Sequence, residues 1–379
     1  MEITVIGWYG TETIGDRAIL AGIFSILSQV LPFYKIRLGS LYPFFTERTI
    51  LDDEHFFDAI SLHKVSSISL FDSQNPAQLR RSIVDSDLLI VGGGPLMDLR
   101  EMNMLEYAFL FAKKKHVKTM LFGCGWGPLN NQITINKAIH LVELSDAVVF
   151  RDSVSREQCL ALCPCYADKI CSSIDPAFFA CDFFVKNEVE SRKRDHVSVN
   201  FRDISLEGNH YTNKEISEEV LVHIVSDIAS HTQLPVELVP MHSFFLGGDD
   251  REILTRIEKK VALSNVSVIQ VPLSLYETMS HYYNAILCVG MRFHAVVLQT
   301  MLNGNNYVVD YTDPLTGKII GMLKQMGIDD YYKNRYYSLH ADNVLFKVDL
   351  FGNDRFRYDS ETIQNYFEQY VDCLKGLGL

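Results

Sequence analysis

The chain has 379 residues, 47% hydrophobic and 22% charged, the range of an ordered globular protein with two cores rather than of a disordered one. Its formal charge of -12 argues against a general nucleic-acid binder, because phosphate-tracking surfaces need excess Lys and Arg, so any anionic ligand must be held by a local cluster of cations. No basic leader precedes the first apolar run and no stretch reaches the roughly eighteen apolar residues of a membrane span, so the chain is read as cytoplasmic.

Short apolar runs that end in glycine or a polar turn, each followed by a stretch of helical period, set the rhythm of βαβ units and a parallel sheet. In the first half the strands are Ile3 to Gly7, Leu88 to Gly92, Thr119 to Gly123 and Ala147 to Phe150. Helices are predicted at Asp16 to Val30, Asn103 to Lys115 and Ile133 to Ser145. Residues 1–185 thus form one Rossmann-like domain. The charged segment Phe183 to Asp195 is the predicted linker.

A second Rossmann-like domain spans 195–340. Its strands are His196 to Phe201, Val236 to Pro240, Val266 to Gln270, Ala285 to Gly290 and Asn306 to Asp310. Its helices are Asn213 to His231, Asp249 to Ala262, Ser274 to Asn284 and His294 to Asn303. A helix within 358–379 docks on one of the domains. The fold class is therefore α/β, with two Rossmann-like domains facing across a cleft and a ligand at the carboxyl ends of their strands. Of the eight cysteines, Cys159, Cys163, Cys165 and Cys171 cluster but lack the paired C-x2-C spacing of a structural zinc site, so no metal is expected.

Glycine turns mark the first domain. Gly7-Trp-Tyr-Gly10-Thr-Glu-Thr13-Ile-Gly15-Asp16 opens a helix after the first strand, a place where backbone amides approach an anion or a sugar, or simply a tight turn. Asp16 is either the helix N-cap or a carboxylate that takes a proton from an acceptor hydroxyl. Gly92-Gly93-Gly94-Pro95-Leu-Met-Asp98 demands a close backbone approach, by a ligand or by a neighbouring element. Trp126, in a third glycine turn, is a packing residue or a stacking face for a sugar.

The second domain carries the cations. Arg202 follows the strand that ends Asn200-Phe201, and Met291-Arg292-Phe293-His294-Ala295 joins a strand to a helix. Arginine forks onto carboxylate or phosphate, and helix-start amides favour an anion nearby. His242 ends another strand of the same sheet, Asp249 and Asp250 start a helix, and Lys318 follows the Asp313-Pro314 turn.

In this order, Gly15-Asp16, the glycines 92 to 94, Gly123-x-Gly125-x-Gly127-Pro128, Arg151-Asp152, Asp175-Pro176, Asn200-x-Arg202, His242 with Asp249 or Asp250, and Arg292-Phe293-His294-Ala295 resemble the polysaccharide pyruvyl transferase family, up to about residue 330. The resemblance implies a fold similar to the B-type glycosyltransferases, phosphoenolpyruvate as donor substrate, no cofactor, and a pyruvate ketal on a sugar of a surface or capsular polysaccharide as product. It implies Arg202, Arg292, Phe293, His242 and Lys318 as donor-binding residues, with His294 as the acid and Asp16 beside it in catalysis. Thr13, Gly15, Gly93, Gly94, Asp98 and Trp126 would face the acceptor. Family members often carry Asn where this chain has Thr13, a departure that bears on the acceptor contacts. The acceptor implied is a lipid-linked, galactose-type oligosaccharide, with peripheral membrane contact through basic clusters such as Lys113 to Lys115 and Arg192 to Arg194, and no nucleic acid. The competing expectation is a B-type glycosyltransferase that uses a nucleotide sugar.

Overall fold

The computed structural model describes residues 1–62, 68–189, 193–204, 218–315, 317–340, 347–349 and 354–378. The chain divides into two compact units. One comprises Met1–Glu12, Asp16–Phe183 and Asp359–Leu379; the other comprises Thr13–Gly15 and Phe184–Tyr358.

The first unit holds strands β1 (Glu2–Ile6), β2 (Lys35–Ser40), β3 (Ser69–Asp72), β4 (Leu88–Gly92), β5 (Pro95–Leu96), β6 (Lys118–Trp126), β7 (Ala147–Phe150) and β8 (Ile170–Ser172). They pair in parallel in the order β3-β2-β1-β4-β6-β7-β8, with β5 alongside β6. The second unit holds β9 (His196–Asn200), β10 (Val236–Leu238), β11 (Val266–Val268), β12 (Ala285–Gly290), β13 (Asn306–Asp310) and β14 (Tyr336–Ser338). Their order is β11-β10-β9-β12-β13-β14, again parallel.

Each sheet therefore runs outward from its first strand in one direction, then reverses, which is the Rossmann strand order. The reversal leaves a crevice at the carboxyl ends of β1 and β4 in one unit and of β9 and β12 in the other. Helices cover both faces of such sheets, which is why β4, β7, β9 and β13 are buried at every residue and why β4 and β7 read as unbroken apolar runs.

Elements with mixed sequence escaped the pattern. β2 reads Lys-Ile-Arg-Leu-Gly-Ser, and β3, β8 and β14 are three- or four-residue strands near or at sheet edges, too short to show a period. The expected linker also begins later than its charge suggests. The helix Ala177–Asn187 continues through Phe183 and Phe184, because Phe178, Phe179, Ala180, Cys181 and Phe184 give it a buried apolar side. Residues 190–192 of that segment, with Arg192, and residues 213–217 of the expected helix lie outside the described residues.

The tail helix Ser360–Gly376 belongs to the first unit. Its Tyr370 is fully buried, stacks on Phe122 with centroids 4.6 Å apart, and donates to the carbonyl of Ile174 at 2.8 Å. Cys373 on the same helix lies 3.1 Å, sulfur to sulfur, from Cys171, while Cys159 faces Cys163 at 3.4 Å. Three of the four cysteines that cluster in sequence are thus divided between two separate pairs, and Cys165 is exposed.

Lys113, one of the basic residues read as a membrane contact, is engaged within this unit: its ammonium lies 2.7 Å from Asp146. Asp146 also accepts from the Thr119 amide at 2.8 Å. Burial raises the Asp146 pKa, but the Lys113 and Thr119 hydrogen bonds outweigh it, and the carboxyl sits below its ordinary value. A carboxylate whose folded pKa is depressed contributes stability above its unfolded pKa and loses it as pH falls through the folded one. Asp146→Asn should therefore cost about 1–2 kcal/mol at pH 7 and close to nothing in strong acid, a difference that urea melts at the two pH values would resolve.

Candidate active site

In the first unit, the turn after β1 meets the turn after β4. Tyr9 reaches across to donate its hydroxyl to the carbonyl of Gly92 at 3.0 Å. Burial, then the charge of Asp16, pushes that phenol well above its usual pKa, so it remains a donor. Gly93 and Gly94 both have positive φ, 69° and 71°, and a Cβ there would strike Ile19 and Trp8. The close approach that the triple glycine demands is met by these neighbours.

Asp16 is not the helix cap. The helix Ile14–Val30 starts two residues earlier, which places Asp16 in its first turn, where a carboxylate suits the helix dipole. The Thr11 hydroxyl lies 2.9 Å from Asp16 Oδ2 and 2.9 Å from the Trp8 carbonyl. Glu12, buried and at φ 61°, anchors the turn by accepting from Arg17 at 3.1 Å and Arg48 at 2.7 Å, a network that the sequence reading missed. Asp98 accepts from the amides of Asn130 and Asn131 at 2.7 and 3.2 Å, pinning a loop. Trp126 packs edge-on to Phe150 at 6.0 Å against the core of this unit.

The carboxyl edge of the second sheet gathers most of the remaining residues. β9 and β12 pair as far as Asn200 and Gly290, so Arg202 and Arg292 stand two residues beyond the same register pair, on either side of the reversal point. Asn200 clamps the edge: its amide nitrogen donates to the Val239 carbonyl at 2.9 Å, and its oxygen accepts from the Arg292 amide at 3.2 Å.

The two arginines reach in opposite directions along the edge. Arg292 is held bidentate by Asp250, Nε to Oδ2 at 2.7 Å and Nη2 to Oδ1 at 2.6 Å. Asp250, 2% exposed, also accepts from the amides of Met241 and His242 at 3.1 Å each. Arg292 was expected as a bare anion-binding cation; it is instead neutralised by a buried carboxylate, which fixes its plane and leaves about three of its five N–H groups for other use. Asp249, not Asp250, caps the helix Asp250–Val261, accepting from the Arg251 amide at 3.0 Å.

Arg202, 9% exposed, crosses the end of β12 to Tyr311, the residue after β13, donating to its hydroxyl at 2.9 Å. Lys318 approaches the same ring, its ammonium 5.8 Å from the centroid. Tyr311 is thus a shared platform for two cations. It went unnoticed in the sequence, although its place directly after a strand at the ligand edge is a usable signal.

Two helices begin here without a side-chain cap among the described residues. Phe293–Leu302 has Arg292 at its N-cap and Lys318–Gln325 has Gly317, and the positive ends of both helix dipoles lie at this edge. His294, half-buried, lies in the first turn of the former, its ring edge-to-face with Phe293 at 5.1 Å.

Thr13 and Gly15 were expected with the first domain. They group instead with the second unit: Thr13 bridges to His242, Ile14 donates its amide to the Met241 carbonyl at 3.0 Å, and Gly15 packs against the His294 ring. His242 is itself buried and lies against Gly247, where a Cβ would come 2.8 Å from Cε1. Its place is the floor of the edge.

Paired Rossmann-order sheets, with cations and uncapped helix starts at a reversal point, define a two-domain α/β enzyme. The fold is that of UDP-GlcNAc 2-epimerase from Methanocaldococcus jannaschii (TM-score 0.59, 13% identity, 99% of each chain covered). It is equally that of the enzyme from Rickettsia bellii (0.57, 9% identity, 99% of this chain and 96% of that one). A polyamine aminopropyltransferase from Moorella thermoacetica is 24% identical over 139 residues, a match that spans 34% of this chain and 46% of that protein. The chain belongs to the polysaccharide pyruvyl transferase family, whose sequence profile matches residues 14–314, and is accordingly a transferase. No described helix is long and apolar enough to cross a membrane.

Proposed function

We propose that this transferase moves the pyruvyl group of phosphoenolpyruvate onto two hydroxyls of a sugar, on a lipid-linked galactose-type acceptor, in the assembly of a surface or capsular polysaccharide. The observation that carries the donor assignment is the convergence of Arg202 and Lys318 on Tyr311 at an edge that also offers two uncapped helix starts. Phosphoenolpyruvate bears about three negative charges near neutrality, and such a group of donors suits a phosphate and a carboxylate on one small molecule. Family membership supports the same reading.

The chemistry balances without a redox cofactor. His294, as the acid, gives its proton to the methylene carbon, which becomes the methyl group. The carbon bearing the phosphate turns electrophilic, and one sugar hydroxyl adds to it, losing its proton to a carboxylate, which we assign to Asp16. The carbon–oxygen bond to phosphate then breaks with the electron pair leaving on phosphate. The second hydroxyl adds in turn and gives its proton to the now neutral His294, which closes the ketal and restores the acid, while the proton taken by Asp16 passes to the released phosphate. Arg202, Arg292 and the helix amides stabilise charge on the donor throughout.

The test incubates the protein with phosphoenolpyruvate and lipid-linked galactosides or mannosides, following phosphate release and product mass. A mass gain equal to a pyruvate ketal with stoichiometric phosphate is expected. Lys318→Ala should raise KM for phosphoenolpyruvate about tenfold, equivalent to ~1.4 kcal/mol, with kcat little changed, since Lys318 adds charge at the rim without touching the reacting carbon. A nucleotide-sugar reading draws on the fold shared with a Neisseria meningitidis UDP-GlcNAc 2-epimerase solved bound to UDP-GlcNAc (TM-score 0.54, 12% identity, 99% of this chain and 100% of that one). A thermal shift with a nucleotide sugar and none with phosphoenolpyruvate would favour it.

A further inference from the structure

At the opposite, amino-terminal end of the second sheet, three side chains that the transfer chemistry does not use come together. His196 opens β9, Glu237 lies in the middle of β10, and His281 sits on the helix Leu275–Asn284. One ligating atom from each lies within 4.8 Å of the others, a grouping of metal-ligand side chains that is the only one of its kind among the described residues. His196 begins the strand that ends at Asn200, so this cluster is about 13 Å along the strand from the edge described above.

The hydrogen bonding is incomplete in a way that points to a cation. His196 Nε2 lies 3.2 Å from the His281 carbonyl, which can only accept, so Nε2 carries the hydrogen and a neutral ring presents its lone pair at Nδ1. Facing that Nδ1 at 3.0 Å is Asp195 Oδ1, also an acceptor. His281 Nδ1 lies 3.5 Å from Glu237 Oε2, long for a hydrogen bond. Two ligands of one tetrahedral ion, bonded at about 2.0–2.1 Å, stand about 3.3 Å apart, close to that spacing. The His281 side chain is 12% exposed and its other nitrogen, Nε2, is buried with no hydrogen-bond partner among the described residues, so neither ring nitrogen is committed to a close hydrogen bond and either can face an ion. The two rings are 4.3 Å apart at their centroids, near enough to share an ion.

We propose that His196, Glu237 and His281 bind a divalent transition-metal ion of the zinc type, with its fourth position open to water. Two imidazoles and one carboxylate are a ligand set that zinc accepts while keeping an open position. The water would come from the adjoining cavity of about 540 Å³, which His196, His281, Asp195, Lys193 and Tyr276 line. Asp195, whose Oδ1 stands 3.0 Å from His196 Nδ1, is placed to receive a hydrogen bond from the bound water. The ion ties two strands to one helix, and the site does not depend on the pyruvyl-transfer reading.

The full-length protein, stripped with a chelator, is titrated with Zn²⁺ and, separately, with Co²⁺ as the spectroscopic probe. One equivalent should bind, Tm should rise and saturate at that equivalent, and the Co²⁺ spectrum should show tetrahedral d–d bands without a thiolate charge-transfer band. Glu237→Gln and His281→Gln should each weaken binding at least tenfold. Should His281→Gln fail to fold, the isosteric Glu237→Gln, at a side chain 32% exposed, decides alone. Absence of stoichiometric binding, a thiolate band that moves the site to the cysteine pairs, or unchanged affinity in folded Glu237→Gln would overturn the proposal.

Discussion

Asp250→Ala should lose about 3–5 kcal/mol of stability and, at a temperature where it remains folded, on the order of a hundredfold in transfer rate. The first effect follows from what the carboxylate holds. It is 2% exposed, takes both forks of Arg292 at 2.6 and 2.7 Å, and accepts two backbone amides at 3.1 Å. Alanine leaves a guanidinium that is only 16% exposed without its counter-charge and two amides without an acceptor. The second effect follows from orientation, since a guanidinium released from a bidentate clamp no longer presents its remaining N–H groups in a fixed plane.

Asp250→Asn separates the two effects. Its amide oxygen can still accept from the Met241 and His242 amides, but it cannot clamp both forks of Arg292. It should therefore lose less stability than alanine while losing a similar share of kcat. Urea unfolding and phosphate release measured on the same preparations check both outcomes. If Asp250 merely competed with the donor for Arg292, Asp250→Asn would lower KM and keep kcat, and the positioning role assigned to it would be wrong.

That pair shows where the sequence is transparent and where it is not. The two parallel sheets were legible because β4, β7 and β12 are apolar throughout and β13 has an apolar centre, a direct consequence of burial on both faces, and because each is followed by a glycine or a polar turn and then a helix. β2 and the short strands β3, β8 and β14 were not, since charge and brevity hide the period. Side chains placed at the ends of central strands, Arg202 and Arg292, could be listed from strand position alone. Their partners could not. Asp250 reads in sequence as a helix start, and nothing in Gly-Gly-Asp-Asp says which aspartate caps the helix and which turns back to an arginine 42 positions away. Tyr311 and Glu12 were hidden for the same reason, because their roles lie in contacts with residues remote in sequence.

Gly15→Ala, a change of one methyl group, should lower kcat by on the order of a hundredfold while leaving Tm within a few degrees of the parent. The glycine is not required by its own backbone, because its φ is not positive; it is required by what lies against it. A Cβ at residue 15 would fall on the His294 ring, 2.5 Å from Cγ and 2.9 Å from Cε1. The neighbour is a side chain, so it can turn aside without moving the sheet, and stability is largely kept. A general acid displaced by about an ångström, however, no longer meets the carbon it protonates. The alternative, that Gly15 matters only for packing, predicts a loss of Tm with kcat per folded molecule unchanged. Pairing the change with His294→Ala decides between them. Because both variants remove the same aligned proton donor, the double variant should be no slower than His294→Ala alone, and the two effects should fail to add. Full additivity would mean that residue 15 acts through something other than the histidine it touches.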